Sequence, residues 1–208
     1  MKQVHLTYIL FLVWIVSSCQ NDTTIDNIQD IPKVTKEDKS YANVFSILDG
    51  HWKGDFLIFE DQNPVPKEQL ELQHISLSSI QKRQLKQINS IKVEQVYSSE
   101  TPYFQKVTIT DFYPDSGQKI VSKGVNKIQN GQMWCVVRKP DETVIHAGNT
   151  EGDNTIIWER NEKTPQKIEY FKETVSDRFY EIIGWGYYQN DNPSKSPKLW
   201  FYAKYEKQ

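Results

Sequence analysis

The chain has 208 residues, with 25 basic and 27 acidic side chains, a formal charge of −2 and two cysteines. That near-balance lacks the basic footprint of a nucleic-acid binder. No histidine-rich tract or single-sign charge block points to another polyionic partner.

The first eighteen residues read as an export signal. Lys2 gives a positive start, Leu6 to Val16 an apolar run about half as long as the ~20 residues a membrane span requires, and Ser17-Ser18 leads into Cys19. An ordinary cleaved secretion signal is one reading. The Val16-Ser17-Ser18-Cys19 order also resembles a bacterial lipobox, which implies cleavage before Cys19 and diacylation of its sulfur. Two acyl chains give the stable anchoring that one cannot. Residues 1–18 are thus expected to be a lipoprotein signal peptide and 19–40 a lipidated cysteine with a flexible tether. The tether is polar, without apolar period, and has a random-coil reach of roughly 25 Å. With Cys19 consumed by lipid, Cys135 is left as a lone thiol and reads as a small buried hydrophobe beside Met133. The placement is a bacterial cell envelope, with the membrane as partner through Cys19.

A folded domain is expected over 41–208, opening with a short helix or turn around Tyr41, Val44, Phe45, Ile47 and Leu48. "DGHWKGDF" follows, where Gly50 and Gly54 bracket Trp52 at the start of a strand. The glycines are expected to let the strand bend while Trp52 closes one end of the fold. Asp61 to Ser90 is too long for a plain loop. Leu77, Ile80, Leu85, Ile88 and Ile91 approach helical spacing there, so this insertion is either a partly helical cover over one mouth or an excursion packed on the outside.

From Ile91 onward turn signals recur about every ten residues, with period-two segments between them. Strands are expected at 51–59, 91–97, 102–112, 118–127, 132–138, 143–147, 155–159, 166–173, 178–188 and 198–205. Asn130-Gly131 suits a type I′ hairpin turn. Consecutive antiparallel strands in this number leave two exposed edges unless the sheet closes. The fold class is therefore all-β, a single antiparallel up-and-down barrel of about ten strands with a short helical insertion. A two-sheet sandwich is the alternative.

Gly50-His51-Trp52 followed by such a meander resembles the lipocalin and wider calycin group, in which this tryptophan packs across the closed end of the barrel. Those proteins set an arginine of the last strand against it, whereas only lysines follow Arg178 here. "VEQVYSSETPYFQKV", residues 93–107, resembles a segment of the CpeT/CpcT-type phycobiliprotein lyases, also calycin barrels, through Glu94, Gln95, Tyr97, Pro102, Tyr103, Gln105 and Val107. The resemblance to calycins allows His146 a haem-ligand role of the kind some of them use. A surface or turn-flanking histidine is the ordinary reading.

No nucleophile motif, phosphate loop or Cys/His metal spacing is present, so no catalytic residue, metal or cofactor is expected. Strand carboxylates Glu94, Glu159, Glu169 and Glu181 read as solvated. The aromatic load carries the functional expectation: a small hydrophobic or aromatic ligand bound inside the barrel, lined by Tyr97, Tyr103, Met133, Trp158, Tyr170 and Trp185. One alternative is a solid barrel whose outer Trp134, Tyr188, Trp200 and Tyr202 contact glycan or protein. The other is a barrel enzyme such as a chromophore lyase, which needs polar groups converging inside.

Overall fold

The computed structural model describes residues 23–208. The expected signal segment and Cys19 lie outside the described residues. Ten strands follow one another along the chain: β1 Gly50–Asp61, β2 Leu85–Thr101, β3 Phe104–Tyr113, β4 Gln118–Gln129, β5 Gln132–Arg138, β6 Thr143–Thr150, β7 Thr155–Lys163, β8 Gln166–Val175, β9 Phe179–Tyr188 and β10 Leu199–Lys207. Each pairs antiparallel with its sequence neighbour, and β1 pairs β10 from Trp52↔Lys207 to Glu60↔Leu199, so the sheet closes into a barrel. Closure removes the two edges that an open meander of this length would expose. The turn chemistry is local: Asn130 and Gly131 both have positive φ (57° and 69°), joining Gln129 and Gln132 in a two-residue hairpin.

Side chains of directly paired residues point the same way, so the register sorts the barrel's two faces. Trp52, Gly54 and Phe56 share the inner face with Tyr205 and Ala203 on β10 and with Gln95, Val93 and Ile91 on β2. The inner face continues through Val107 and Ile109, Met133 and Cys135, Trp158, Phe171 and Glu173, and Tyr180 and Ile182.

One end is plugged. A 3₁₀ turn at Glu37–Tyr41 and a second at Ser46–Leu48 lead into β1, and Phe45 and Leu48 are buried against the inner cluster. Trp52 is fully buried and donates from Nε1 to Leu48 O at 2.7 Å, while Gln105 Nε2 donates to Phe45 O at 2.7 Å. These two bonds satisfy backbone carbonyls that the plug would otherwise bury unpaired. Lys207 Nζ lies 5.1 Å from the Trp52 ring centroid, so a last-strand lysine sets a cation over the buried indole.

The two glycines act by proximity. Gly50 has φ +133°, and a Cβ on Gly54 would stand 2.2 Å from Lys204 O and 2.9 Å from Tyr205 Cα. The β1–β2 ladder shifts register at Ile58/Phe59, away from both glycines, so Gly54 lets β10 approach and is not where the strand breaks register. Gly54→Ala is expected to lose about 1–3 kcal/mol through overpacking. Urea unfolding beside the exposed Gly117→Ala, whose Cβ meets nothing within 4 Å but whose φ is +70°, separates crowding from backbone strain.

The insertion between β1 and β2 packs on the outside of the barrel. It carries 3₁₀ turns at Lys67–Gln69 and Leu72–His74 and the helix α1, Leu77–Gln81, capped by Ser76. Leu72, Ile75 and Ile80 bury themselves on the outward face of β8, β9 and β10, against Tyr170, Trp185, Tyr187 and Trp200. Arg83 pins its return through a salt bridge to buried Asp61, which also accepts from Ser196 Oγ at 2.8 Å. Of the expected tether, residues 23–28 rest against the wall beside β4 and β5 and Asp38 accepts from Gly131 N at 2.7 Å, while Ile31 and Val34 between them are exposed. Ile28 is buried with Val125 and Val136, and Lys127 Nζ donates to Thr24 O at 3.2 Å and Asn27 O at 2.8 Å. Two isolated isoleucines, Ile25 and Ile28, are enough to seat a segment that has no longer apolar period.

Candidate functional site

The candidate site is the inner face of the barrel. At the plugged end its side chains are fully buried: Trp52, Met133, Tyr180 and Tyr205. Further in, Phe56, Ile58, Ile109, Cys135 and Phe171 pack on the same cluster but stay only partly buried. Cys135 decides what this means. Its side chain keeps accessible surface, yet burial and then the neighbouring Glu173 hold its thiol far above the ordinary cysteine range. Inner-face side chains that stay only partly buried within a closed barrel border an incompletely filled interior. That space is walled by apolar and aromatic side chains, as small-molecule sites commonly are.

Glu173 lies at the floor of this space, next to the plug. It is 9% exposed, and its Oε2 accepts from Trp158 Nε1 at 2.9 Å. Burial pushes its carboxyl up to about 7, against the Trp158 N–H and the Tyr180 hydroxyl, which favour the charged form. Tyr180 Oη sits close enough to Glu173 and Tyr97 to affect their protonation, but it meets neither at hydrogen-bonding geometry and is left buried without a partner. Tyr97 Oη donates to Gln95 Oε1 at 3.1 Å. The rings enforce these positions: Tyr180 meets Trp52, Tyr97 and Tyr205 edge-on at 5.7, 6.3 and 5.4 Å.

The opposite mouth is charged. Glu169, on the inner face of β8, faces His146 Nε2 at 3.1 Å, accepts from Tyr188 Oη at 2.6 Å and lies 3.6 Å from Arg160 Nη1. Arg160 also reaches Glu162 at 2.8 Å and Glu142 at 3.3 Å, and Lys167 joins Glu142. Burial raises the Glu169 carboxyl, but the hydrogen bonds from His146 and Tyr188 and the charges of His146 and Arg160 outweigh it and hold it at about 2. A depressed carboxyl stabilises the fold above its unfolded pKa, and that contribution disappears as pH falls toward the folded value. Glu169→Gln is therefore expected to lose about 2–3 kcal/mol at pH 7 and progressively less from pH 4 downward, read from urea unfolding at both pH values.

The six expected ligand residues divide three ways. Tyr97, Met133 and Trp158 come together on the inner face near the plug. Tyr103 lies in the β2–β3 hairpin at the rim of that end, packed on the same cluster. Tyr170 and Trp185 face outward. They stack at 5.5 Å and 5° beneath the insertion, donating to Gln73 O and Leu72 O at 2.9 Å each. The inner positions on that part of β9 are Gly184 and Gly186, because a Cβ at either would stand 2.6 Å from the Phe171 or Tyr188 ring.

Other expectations are corrected as well. Trp200 is buried under the insertion, Tyr188 is bound into the mouth network and Trp134 packs beside Ile28, so these aromatics form no exposed cluster with Tyr202. His146 and Glu169 are inner-wall residues, neither turn-flanking nor solvated. Glu173, Tyr180 and Arg160 were not singled out from the sequence. Their signal was parity: Trp158 fixes Ile156 and Arg160 on its own face, and Phe171, its partner on β8, brings Glu169 and Glu173 with it.

Besides an open groove of about 240 Å³ beside the plug at Ala42, Ile47 and Ile156, two lie along the outer wall of the barrel. One, of about 450 Å³, runs between Lys53, Asp55, Lys92, Glu94 and Lys119. The other, of about 360 Å³, lies between α1 and the wall at Phe59, Leu77, Ile80, Leu85 and Tyr202. The first is lined largely by solvated charge, and the second is the imperfect seam of a packed insertion. Among the described residues no cluster of three or more His, Cys, Asp or Glu is placed to hold a metal, and no helix is long and apolar enough to cross a membrane.

Together these features define a closed, ten-stranded, calycin-like barrel with an apolar inner wall and one plugged end. No protein-family model matches the chain, and no curated protein matches it.

Proposed function

We propose that the chain is a membrane-anchored lipoprotein of the bacterial envelope whose barrel binds a small hydrophobic or aromatic ligand. The observation that carries the binding half is the partly buried apolar wall around Cys135, enclosed by a plugged end and a charged mouth. The lipobox-like order at Val16 to Cys19 supports the anchor. The charged ring at the mouth suits cargo that passes from water to an apolar interior.

The two halves separate experimentally. Cells expressing the chain are expected to label it with radioactive palmitate, and Cys19→Ala to abolish both the label and membrane fractionation. An unlabelled chain would remove the anchor and leave the binding half standing. For binding, the full chain in phospholipid nanodiscs is expected to quench its tryptophans saturably on addition of N-phenyl-1-naphthylamine, beyond empty-nanodisc partitioning. Cys135→Phe, which fills the space, is expected to weaken this at least about tenfold, equivalent to ~1.4 kcal/mol. Quenching that the phenylalanine does not change would place the probe elsewhere.

A specific observation also favours the barrel-enzyme reading, since Glu173, Tyr180 and Tyr97 converge inside. Mass analysis of ligand recovered after incubation discriminates the two. A binding protein returns it unchanged, whereas an enzyme returns a product.

A further inference from the structure

The polar floor of the barrel is chemically one-sided. The Glu173 carboxylate is approached by one donor, Trp158 Nε1 on Oε2, and its Oε1 accepts no hydrogen bond from any described residue. The titratable groups facing it are Tyr97 on β2, Cys135 on β5, Tyr180 on β9 and Tyr205 on β10, with Asp111 on β3 beyond Tyr205. None carries positive charge. The inner-face cations Arg160 and Lys167 are at the far mouth, engaged by Glu142, Glu162 and Glu169, and the His146 ring is held by Glu169 as well. Tyr180 Oη is fully buried and unpartnered, and Tyr97 Oη, having donated to Gln95, keeps its lone pairs free.

We infer that the ligand carries a protonated amine, received at the floor by Glu173 Oε1 and the Tyr97 hydroxyl, with its apolar body lying along Phe56, Ile109 and Phe171. This rests on the inner face being the binding site. An ammonium offers three N–H donors and no acceptor, which suits a carboxylate oxygen and a hydroxyl with no cation beside them. Its bond to a carboxylate is charge-assisted and about twice as strong as a neutral one. The surrounding rings of Trp158, Tyr97 and Tyr180 carry electron-rich π-faces, the part of an aromatic ring that attracts a desolvated cation. A carboxylate ligand would instead place a second negative charge beside Glu173, and an alcohol would leave its charge uncompensated.

A matched set tests this: 1-naphthylmethylamine, 1-naphthylmethanol and 1-naphthoate, titrated into the full chain in zwitterionic nanodiscs with empty nanodiscs as blank. At pH 8 the amine is expected to bind at least about tenfold more tightly than the alcohol, and the naphthoate most weakly. The amine stays protonated down to pH 6, as aliphatic amines titrate near ~10. Its advantage is nevertheless expected to shrink there, because Glu173 takes up a proton as pH falls through about 7. Glu173→Gln, which keeps an acceptor for Trp158, is expected to bring amine and alcohol within about twofold of one another. Tyr97→Phe, which adds no volume, is expected to weaken the amine about threefold or more and leave the alcohol nearer its original affinity. Equal binding of amine and alcohol, tighter binding of naphthoate, or a preference that survives Glu173→Gln overturns the amine assignment while the container stands. If none of the three binds, the container reading falls with it.

Discussion

Trp52→Ala is expected to cost about 3–5 kcal/mol, the range for deleting a large buried aromatic. For a chain of this size that lowers the melting temperature by roughly 6–20 °C. The indole is fully buried, donates to Leu48 O, meets Tyr180 edge-on and lies under Lys207. Its loss leaves a void between the plug and the barrel and an unpaired Leu48 carbonyl. Trp52→Phe separates these effects: it restores most of the apolar area but not the N–H, and is expected to recover all but about 1–2 kcal/mol. Trp134→Ala, a partly buried tryptophan on the outer wall beside Ile28, is the control and is expected to cost clearly less. Comparable losses at the two sites would show that Trp52 has no special part in closing the barrel.

The second large effect is a stability that falls as pH rises. Glu173 has a folded pKa of about 7, against an ordinary value of 4.5. The native state therefore holds its proton more firmly than the unfolded chain does. Between these values the native state binds more protons, so this contribution is fully present below about pH 4.5, declines through the interval and is gone above about 7. The interval corresponds to about 3 kcal/mol at roughly 1.4 kcal/mol per unit. Glu173→Gln removes the titration and is expected to be more stable than the parent at pH 8 by a sizeable part of that amount, with the two converging near pH 5. Glu169 has the opposite sign and acts in a lower window, between its unfolded value of 4.5 and about 2, so the two do not mask one another. Urea unfolding of both chains at pH 5, 6, 7 and 8 reads the difference. Parallel curves would mean that Glu173 is solvated and the floor of the barrel open to bulk water.

Much of the architecture was legible because it is written in local chemistry. Asn130-Gly131 demanded positive φ at two successive positions, and the hairpin forms there. Short turn-bounded segments of period two marked ten strands, and the edge problem made closure the economical arrangement. Gly50-His51-Trp52 marked the plugged end, and Gln95, Tyr97, Gln105 and Val107 of the 93–107 segment all face inward.

The site was less legible for one physical reason. Period two separates the faces of a strand but does not say which face is inside. That ambiguity is usually settled by putting aromatics in the core, and on β9 it fails. Trp185 is outside because the insertion covers it, and Gly184 and Gly186 are inside because Phe171 and Tyr188 need the room. The acids on β8 were hidden by the same ambiguity. Glu169 and Glu173 alternate with Tyr170 and Lys172, and only pairing to Trp158 through Phe171 turns them inward. Which outer face the insertion covers depends on contacts such as Arg83 with Asp61 and Ser196, far apart in sequence.

The most direct test is where an apolar probe sits. With selectively labelled isoleucine and leucine methyls, intermolecular nuclear Overhauser effects from bound N-phenyl-1-naphthylamine are expected at Ile58, Ile109 and Ile182 on the inner face. Contacts confined to Leu77, Ile80 and Leu85, which line the seam beneath the insertion, would contradict an interior binding site.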